Sequence, residues 1–163
     1  MSRPFRRPLC SLPNVSALRA RHVTPLLLSV FVVASAHAEF LHFEIAFQDT
    51  GCVTCLESLQ GRLERVRGVS QVTVEQGVAR LSLDPGNRVR LNPLLARISQ
   101  DGTKITSVDT KVRGLVARAT LTVSGQDQTL RLKSQTAVAS GDQTLEGRIE
   151  LGDEPTLAVA AVR

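Results

Sequence analysis

The chain changes its hydrophobic period several times, and each change marks an element. Leu41, Phe43, Ile45 and Phe47 alternate with His42, Glu44, Ala46 and Gln48. A period of two predicts a strand with one buried face. Asp49-Thr50-Gly51 interrupts it. From Cys55, Leu56, Leu59, Leu63 and Val66 recur at helical spacing, with Glu57, Arg62, Glu64 and Arg65 on the other faces. Gly68 then stands where glycine commonly ends a helix. Val72 and Val74 alternate with Thr73 and Glu75, Gln76-Gly77 supplies a hairpin turn, and residues 78–83 return as a strand. Asn92-Pro93 reads as the N-cap and first residue of a second helix. Leu94, Leu95 and Ile98 give that helix its apolar side, and Asp101-Gly102 stops it. Residues 105–112 form a fourth strand. The order is β-α-β-β-α-β, the split-βαβ arrangement.

Beyond Gly114 the texture is purely alternating. Leu115, Ala117, Ala119, Leu121 and Val123 share one parity, and residues 129–133 return after a turn at Ser124-Gly125. The run Ser-Gly-Gln-Asp-Gln-Thr-Leu at 124–130 is echoed by Ser-Gly-Asp-Gln-Thr-Leu at 140–145. Two copies predict paired hairpins, since a solenoid needs about three repeats. Leu157, Val159 and Ala161 supply a last strand. The expected fold is therefore α+β: a ferredoxin-like domain over 39–113, followed by a small all-β C-terminal appendix over 114–163. The appendix is too small to stand alone, so it either extends the core or docks on a partner. Docking is the favoured expectation, because short hairpins offer edges for strand addition.

The first 38 residues have a different character. Arg3, Arg6, Arg7, Arg19 and Arg21 precede an apolar run from Leu26 to Ala34, and Ala36-His37-Ala38 forms a small-x-small site. That layout predicts a secretory signal peptide cleaved after Ala38, and so a periplasmic or secreted protein. The run is about half the roughly 20 residues needed to span a bilayer, so no permanent membrane anchor is expected after cleavage. Five of the 20 basic residues and none of the 15 acidic ones lie in 1–38. The remainder balances at 15 against 15. The basic pI thus belongs to the leader, and with no Trp or Tyr in the chain nucleic acid is not an expected partner.

The chemistry concentrates at Cys52 and Cys55. Residues 39–163 hold those two cysteines, one histidine (His42) and no methionine. A CxxC pair has three common uses: soft-metal binding, thiol redox exchange, or a small disulfide. At the start of a helix the positive end of the dipole favours thiolate over thiol. Zinc prefers about four ligands, and His42 lies near the far end of its strand, roughly 20 Å or more away at about 3.3 Å per residue. Two-coordinate Cu(I) or Hg(II) therefore suits the ligand set better than Zn(II). Asp49 is a candidate cap for the helix, and Lys104 a candidate counter-charge to a metal dithiolate. An ordinary surface role is the plainer reading for Lys104, as it is for His42. No Ser/His/Asp set, phosphate loop or paired-carboxylate motif stands out, so no enzyme activity is expected.

These residues give residues 40–112 a resemblance to heavy-metal-associated (HMA) domains, the group that includes copper chaperones and the periplasmic mercury-binding protein. CxxC follows the first strand and opens the first helix. Leu59 and Leu63 follow Cys55 at four-residue steps. Gly68-Val69-Ser70-Gln71-Val72-Thr73-Val74 matches the Gly-Val-x-x-Val-x-Val of the family. Thr50 stands where the family's loop usually has Met, and residues 115–163 lie outside the likeness. The resemblance implies an exported soft-metal carrier that binds Cu(I), Hg(II) or a similar ion through Cys52 and Cys55. It would hand that ion to a transporter or another metal-accepting protein. A thiol–disulfide oxidoreductase and a docking module with a structural disulfide remain the alternatives. The first is weakened by the absence of an aromatic before Cys52; the second is strengthened by an oxidising compartment.

Overall fold

The computed structural model describes residues 39–48, 51–123 and 128–163. Residues 1–38, where the signal peptide is expected, Asp49 and Thr50, and residues 124–127, where the Ser124-Gly125 turn is expected, lie outside the described residues. Eleven elements follow: β1 (Glu39–Phe47), α1 (Val53–Glu64), β2 (Val69–Glu75), β3 (Val78–Leu83), α2 (Leu91–Ile98), a 3-10 turn (Ser99–Asp101), β4 (Ile105–Ala117), β5 (Thr120–Val123), β6 (Gln128–Lys133), β7 (Gly141–Glu150) and β8 (Thr156–Val162).

All eight strands join one sheet in the order β2-β3-β1-β4-β5-β6-β8-β7, and β7 pairs back onto β4. That last pairing closes a five-stranded barrel, β4-β5-β6-β8-β7. Within it the strands run first-second-third-fifth-fourth, and only β6 and β8 pair in parallel. This is the order of an OB-type Greek-key barrel.

The expected ferredoxin-like α+β fold with a separate appendix is therefore corrected. Among the described residues the protein is mostly β, with 52% in strands, 19% helical, and a closed barrel. The reason lies in β4. It runs 13 residues without a break at Gly114. One edge carries β1 along residues 105–113 and then β5 along 115–117. The other edge carries β7 along 109–116. A strand with both edges occupied cannot end one domain and leave the next loose. Closure also uses up the strand edges that an isolated pair of hairpins would have offered.

The hydrophobic pattern explains the core. Phe43 and Ile45 are fully buried on β1, but a register shift between Phe40 and His42 interrupts the alternation. Phe40 thereby turns inward and Leu41 is only half-buried. The Phe40 and Phe43 rings lie 4.7 Å apart. Around them Leu59 and Leu63 of α1 and Leu91, Leu94 and Ile98 of α2 join one apolar cluster, which runs on into the barrel through Val112, Val116, Leu121, Leu130, Leu145 and Leu157.

Several local expectations shift. α2 starts at Leu91 with Arg90 as N-cap, so Asn92 and Pro93 are its second and third residues. Proline is tolerated there because the first four helical N–H groups have no intrahelical acceptor. The Leu91 N–H instead donates to Gln128 Oε1 at 3.4 Å. α1 ends at Glu64, before Gly68. The single strand expected over 115–123 is broken by a turn at Arg118 and Ala119, both with positive φ. The hairpin expected within 140–151 is instead the one continuous strand β7.

Candidate functional site

Cys52 is the N-cap of α1. Its backbone is extended, with φ −86° and ψ 101°, and its Sγ accepts the Cys55 N–H at 3.3 Å. Its carbonyl accepts the N–H groups of Cys55 and Leu56 at 3.1 Å each. The helical turn thus brings the third residue after the cap back over the cap itself. The two cysteines have Cα atoms 5.2 Å apart and are joined as a disulfide. Thr54 Oγ1 lies 3.5 Å from Cys52 Sγ. The N-cap position expected for Asp49 belongs to Cys52, and Asp49 itself is outside the described residues.

Two apolar anchors hold the turn. Leu59 and Leu63 are buried against the sheet and Leu56 packs at its margin, so α1 is pinned along its length while its first turn projects outward. Cys55 is exposed and Cys52 half-exposed. Val53, between them, is 67% exposed, an apolar side chain in solvent beside the sulfurs. No acidic side chain lies in the first turn. A helix N-terminus and an amide hydrogen bond such as that from Cys55 both favour a thiolate over a thiol at such a position once a disulfide is reduced.

Lys104 sits close in the chain path. Its carbonyl accepts the Gln48 N–H at 2.8 Å, which places the start of β4 beside the end of β1, just before the cysteine loop. His42 is elsewhere. It is in mid-β1, paired with Ser82 and Lys111, and its carbonyl accepts the Thr110 hydroxyl at 2.8 Å. Among the described residues no group of three or more His, Cys, Asp or Glu side chains could hold a metal. The two sulfurs are the soft donors this surface presents.

Arg62 and Asp101 sit at the other end of α1. Arg62 Nη2 donates to Asp101 Oδ2 at 2.7 Å and the Thr103 hydroxyl donates to Oδ1 at 2.8 Å. Those hydrogen bonds, Arg62's first, hold the Asp101 carboxyl down to about 2. The pair clamps the end of α2 to α1 and serves the fold. A set of arginines also gathers near this end of α1, at positions 67, 88, 90 and 97, and no sequence motif marks it. The alternation Arg88-Val89-Arg90 is the one local signal of it in the sequence.

No family model, no curated protein and no solved structure matches this chain.

Proposed function

We propose that the protein is an exported thiol protein whose reduced Cys52–Cys55 pair binds a soft metal ion, Cu(I) or Hg(II) ahead of Zn(II), and passes it to a protein acceptor. One observation carries this reading: two neighbouring sulfurs at an exposed helix start, with the Cys55 amide directed at Cys52 Sγ and no acid in that turn. Soft thiolates select soft cations. Exposure lets an acceptor's thiolate replace Cys52 or Cys55 one bond at a time, so the ion need never be released to water. Lys104 offers a cation whose backbone is anchored beside the loop, suited to the net negative charge of a Cu(I) dithiolate. The signal-like leader supports a periplasmic or secreted setting.

A second reading is favoured by the Cys52–Cys55 disulfide itself. In that form the protein would oxidise a partner dithiol. The partner's thiolate attacks one sulfur, the other leaves as thiolate, and a mixed disulfide forms. The partner's second thiolate then resolves it, so the partner gains a disulfide and this chain holds two thiols.

Anaerobic titration separates the two. Full-length reduced protein should take up one Cu(I) per chain in competition with a chromophoric Cu(I) chelator, and Cys52→Ser or Cys55→Ser should abolish uptake. Reduced protein that leaves all the copper on the chelator, yet exchanges disulfides with a model dithiol, would replace the first reading with the second.

A further inference from the structure

Four arginines converge at the end of the molecule where α1 finishes. Arg67 follows α1, Arg88 and Arg90 lie in the segment before α2, and Arg97 is in the last turn of α2. They surround a cavity of about 210 Å³ whose floor is Val66, Val89, Pro93 and Leu94. No carboxylate lines that cavity. Among the described residues none of the four forms an ion pair, as is also true of Arg65 and Arg118, whereas Arg62, Arg80, Arg113, Arg131, Arg148 and Arg163 do. The loop's own carboxylate, Asp84, lines a neighbouring cavity with Arg67 and Arg88 and pairs with neither.

The backbone beneath them is built to hold them together. Val89 is buried between Arg88 and Arg90, so an extended chain sends both flanking side chains outward. Pro93, Leu94 and Arg97 are spaced to share one face of α2. Asn87 fixes the segment from inside. Its amide donates to the carbonyls of Phe40 and Asp84 at 2.8 Å each, and its Oδ1 accepts the Val89 N–H at 3.2 Å. Gly68 brings the Arg67 turn against this loop at φ +94°; a Cβ there would lie 2.9 Å from Asn87 Cβ. The Asp84 N–H donates to the Gly68 carbonyl at 3.0 Å.

Four exposed arginines line one small hollow that holds no carboxylate of its own, although Asp84 and the Asp153–Glu154 pair line the adjoining hollows, so an anion there would meet concentrated positive charge. From this arrangement we infer a binding site for a phosphate group, either a free phosphate compound or a phosphate ester on a lipid headgroup. Guanidinium is a planar fork that suits oxyanions. Four forks from three stretches of chain around one hollow suit a tetrahedral group with oxygens in several directions. A planar carboxylate presents only two. The small volume fits a compact headgroup, and the apolar floor gives a wall against which charge is less screened. This site lies beyond the far end of α1 from Cys52 and does not depend on the reading given to the cysteines.

The test uses full-length protein at about 0.15 M salt, where purely diffuse attraction is screened beyond about 8 Å. One arm titrates inorganic pyrophosphate by calorimetry. The other floats phosphatidylcholine vesicles with and without phosphatidic acid. Saturable binding in either arm supports the site, and the arm that binds identifies the source. Arg88→Ala with Arg97→Ala should weaken it by about tenfold or more, given that each charge-assisted contact carries a few kilocalories. Arg80→Ala, whose guanidinium already faces Glu44, should leave it unchanged. Arg88→Lys with Arg97→Lys keeps the charge and should still lose affinity. The proposal is overturned by absence of binding in both arms, by equal binding of the double alanine variant with an unchanged melting curve, or by a glutamate hexapeptide binding as well as pyrophosphate.

Discussion

Gly147 shows how a single missing side chain can shape this fold. It lies in β7 opposite Val159, at a register shift between Glu146 and Gly147. A Cβ added there would fall 2.2 Å from the Ala158 carbonyl oxygen and 2.9 Å from its carbon. Backbone cannot retreat as a flexible side chain can, so Gly147→Ala should separate β7 from β8. The expected cost is about 1–3 kcal/mol, the range for overpacking a tight interior. It is measured by urea denaturation, and a stability equal to wild type would show that the two strands have room to move. Asp101 provides a second residue-scale expectation. Its folded carboxyl is held near 2 against an ordinary value of 3.8. Stability from the Arg62 pair is thus present above about pH 4 and lost as pH falls towards 2. The gap in denaturation midpoint between wild type and Asp101→Asn should be constant from pH 7 to 5 and close by pH 2. Because the Asp101 side chain is 40% exposed, solvent screening keeps that gap small. A gap that persisted at pH 2 would mean the carboxylate's charge is not what stabilises the helix end.

At the scale of elements, β4 and β7 matter most. Their outer faces carry ion pairs in register. Asp109 accepts both forks of Arg148 at 3.1 Å, and Lys111 meets Glu146 at 2.8 Å. Each residue of a pair stands directly opposite the other across the strands, the geometry in which cross-strand side chains stabilise a sheet. Asp109 holds the Arg148 guanidinium above its usual value, and the Lys111 ammonium beside Glu146 lowers that carboxyl. Alternation in the sequence marked most of these strands, because a half-buried strand writes its two faces into residue parity. It did not mark the Arg118-Ala119 turn. Positive φ at non-glycine residues is paid for by the strands on either side, and without an Asn-Gly or similar signal the run 115–123 reads as one strand. The β7 expectation failed for a related reason. Ser140-Gly141 marks only the strand's start, and the length of a strand is set by the partner it finds.

At the scale of the whole molecule, the two halves share a sheet and a core. Val112 and Val116 of β4 sit in one cluster with Phe40 on one side and Leu145 and Leu157 on the other. A chain truncated after Ala117 would strip β4 of β5 and β7 and expose that row. It should lose cooperative thermal unfolding, as read by circular dichroism and calorimetry, because the removed strands cover several fully buried side chains worth about 1.5–3 kcal/mol each. A truncated chain that still melted sharply near the wild-type temperature would show residues 39–117 to be self-sufficient. Charge is also a whole-molecule property. Residues 39–163 balance to zero, yet Arg67, Arg88, Arg90 and Arg97 gather around one cavity, since an average carries no information about position. By itself the sequence determined the elements of the first half, the apolar faces, and Cys52 and Cys55 at a helix start, because periodicity and short-range spacing are local. Only the tertiary structure decided that β4 passes from one sheet into a closed barrel, and that four arginines from three stretches of chain meet. Both depend on pairings between distant residues, whose partners are chosen by edges and core volume that no local pattern records.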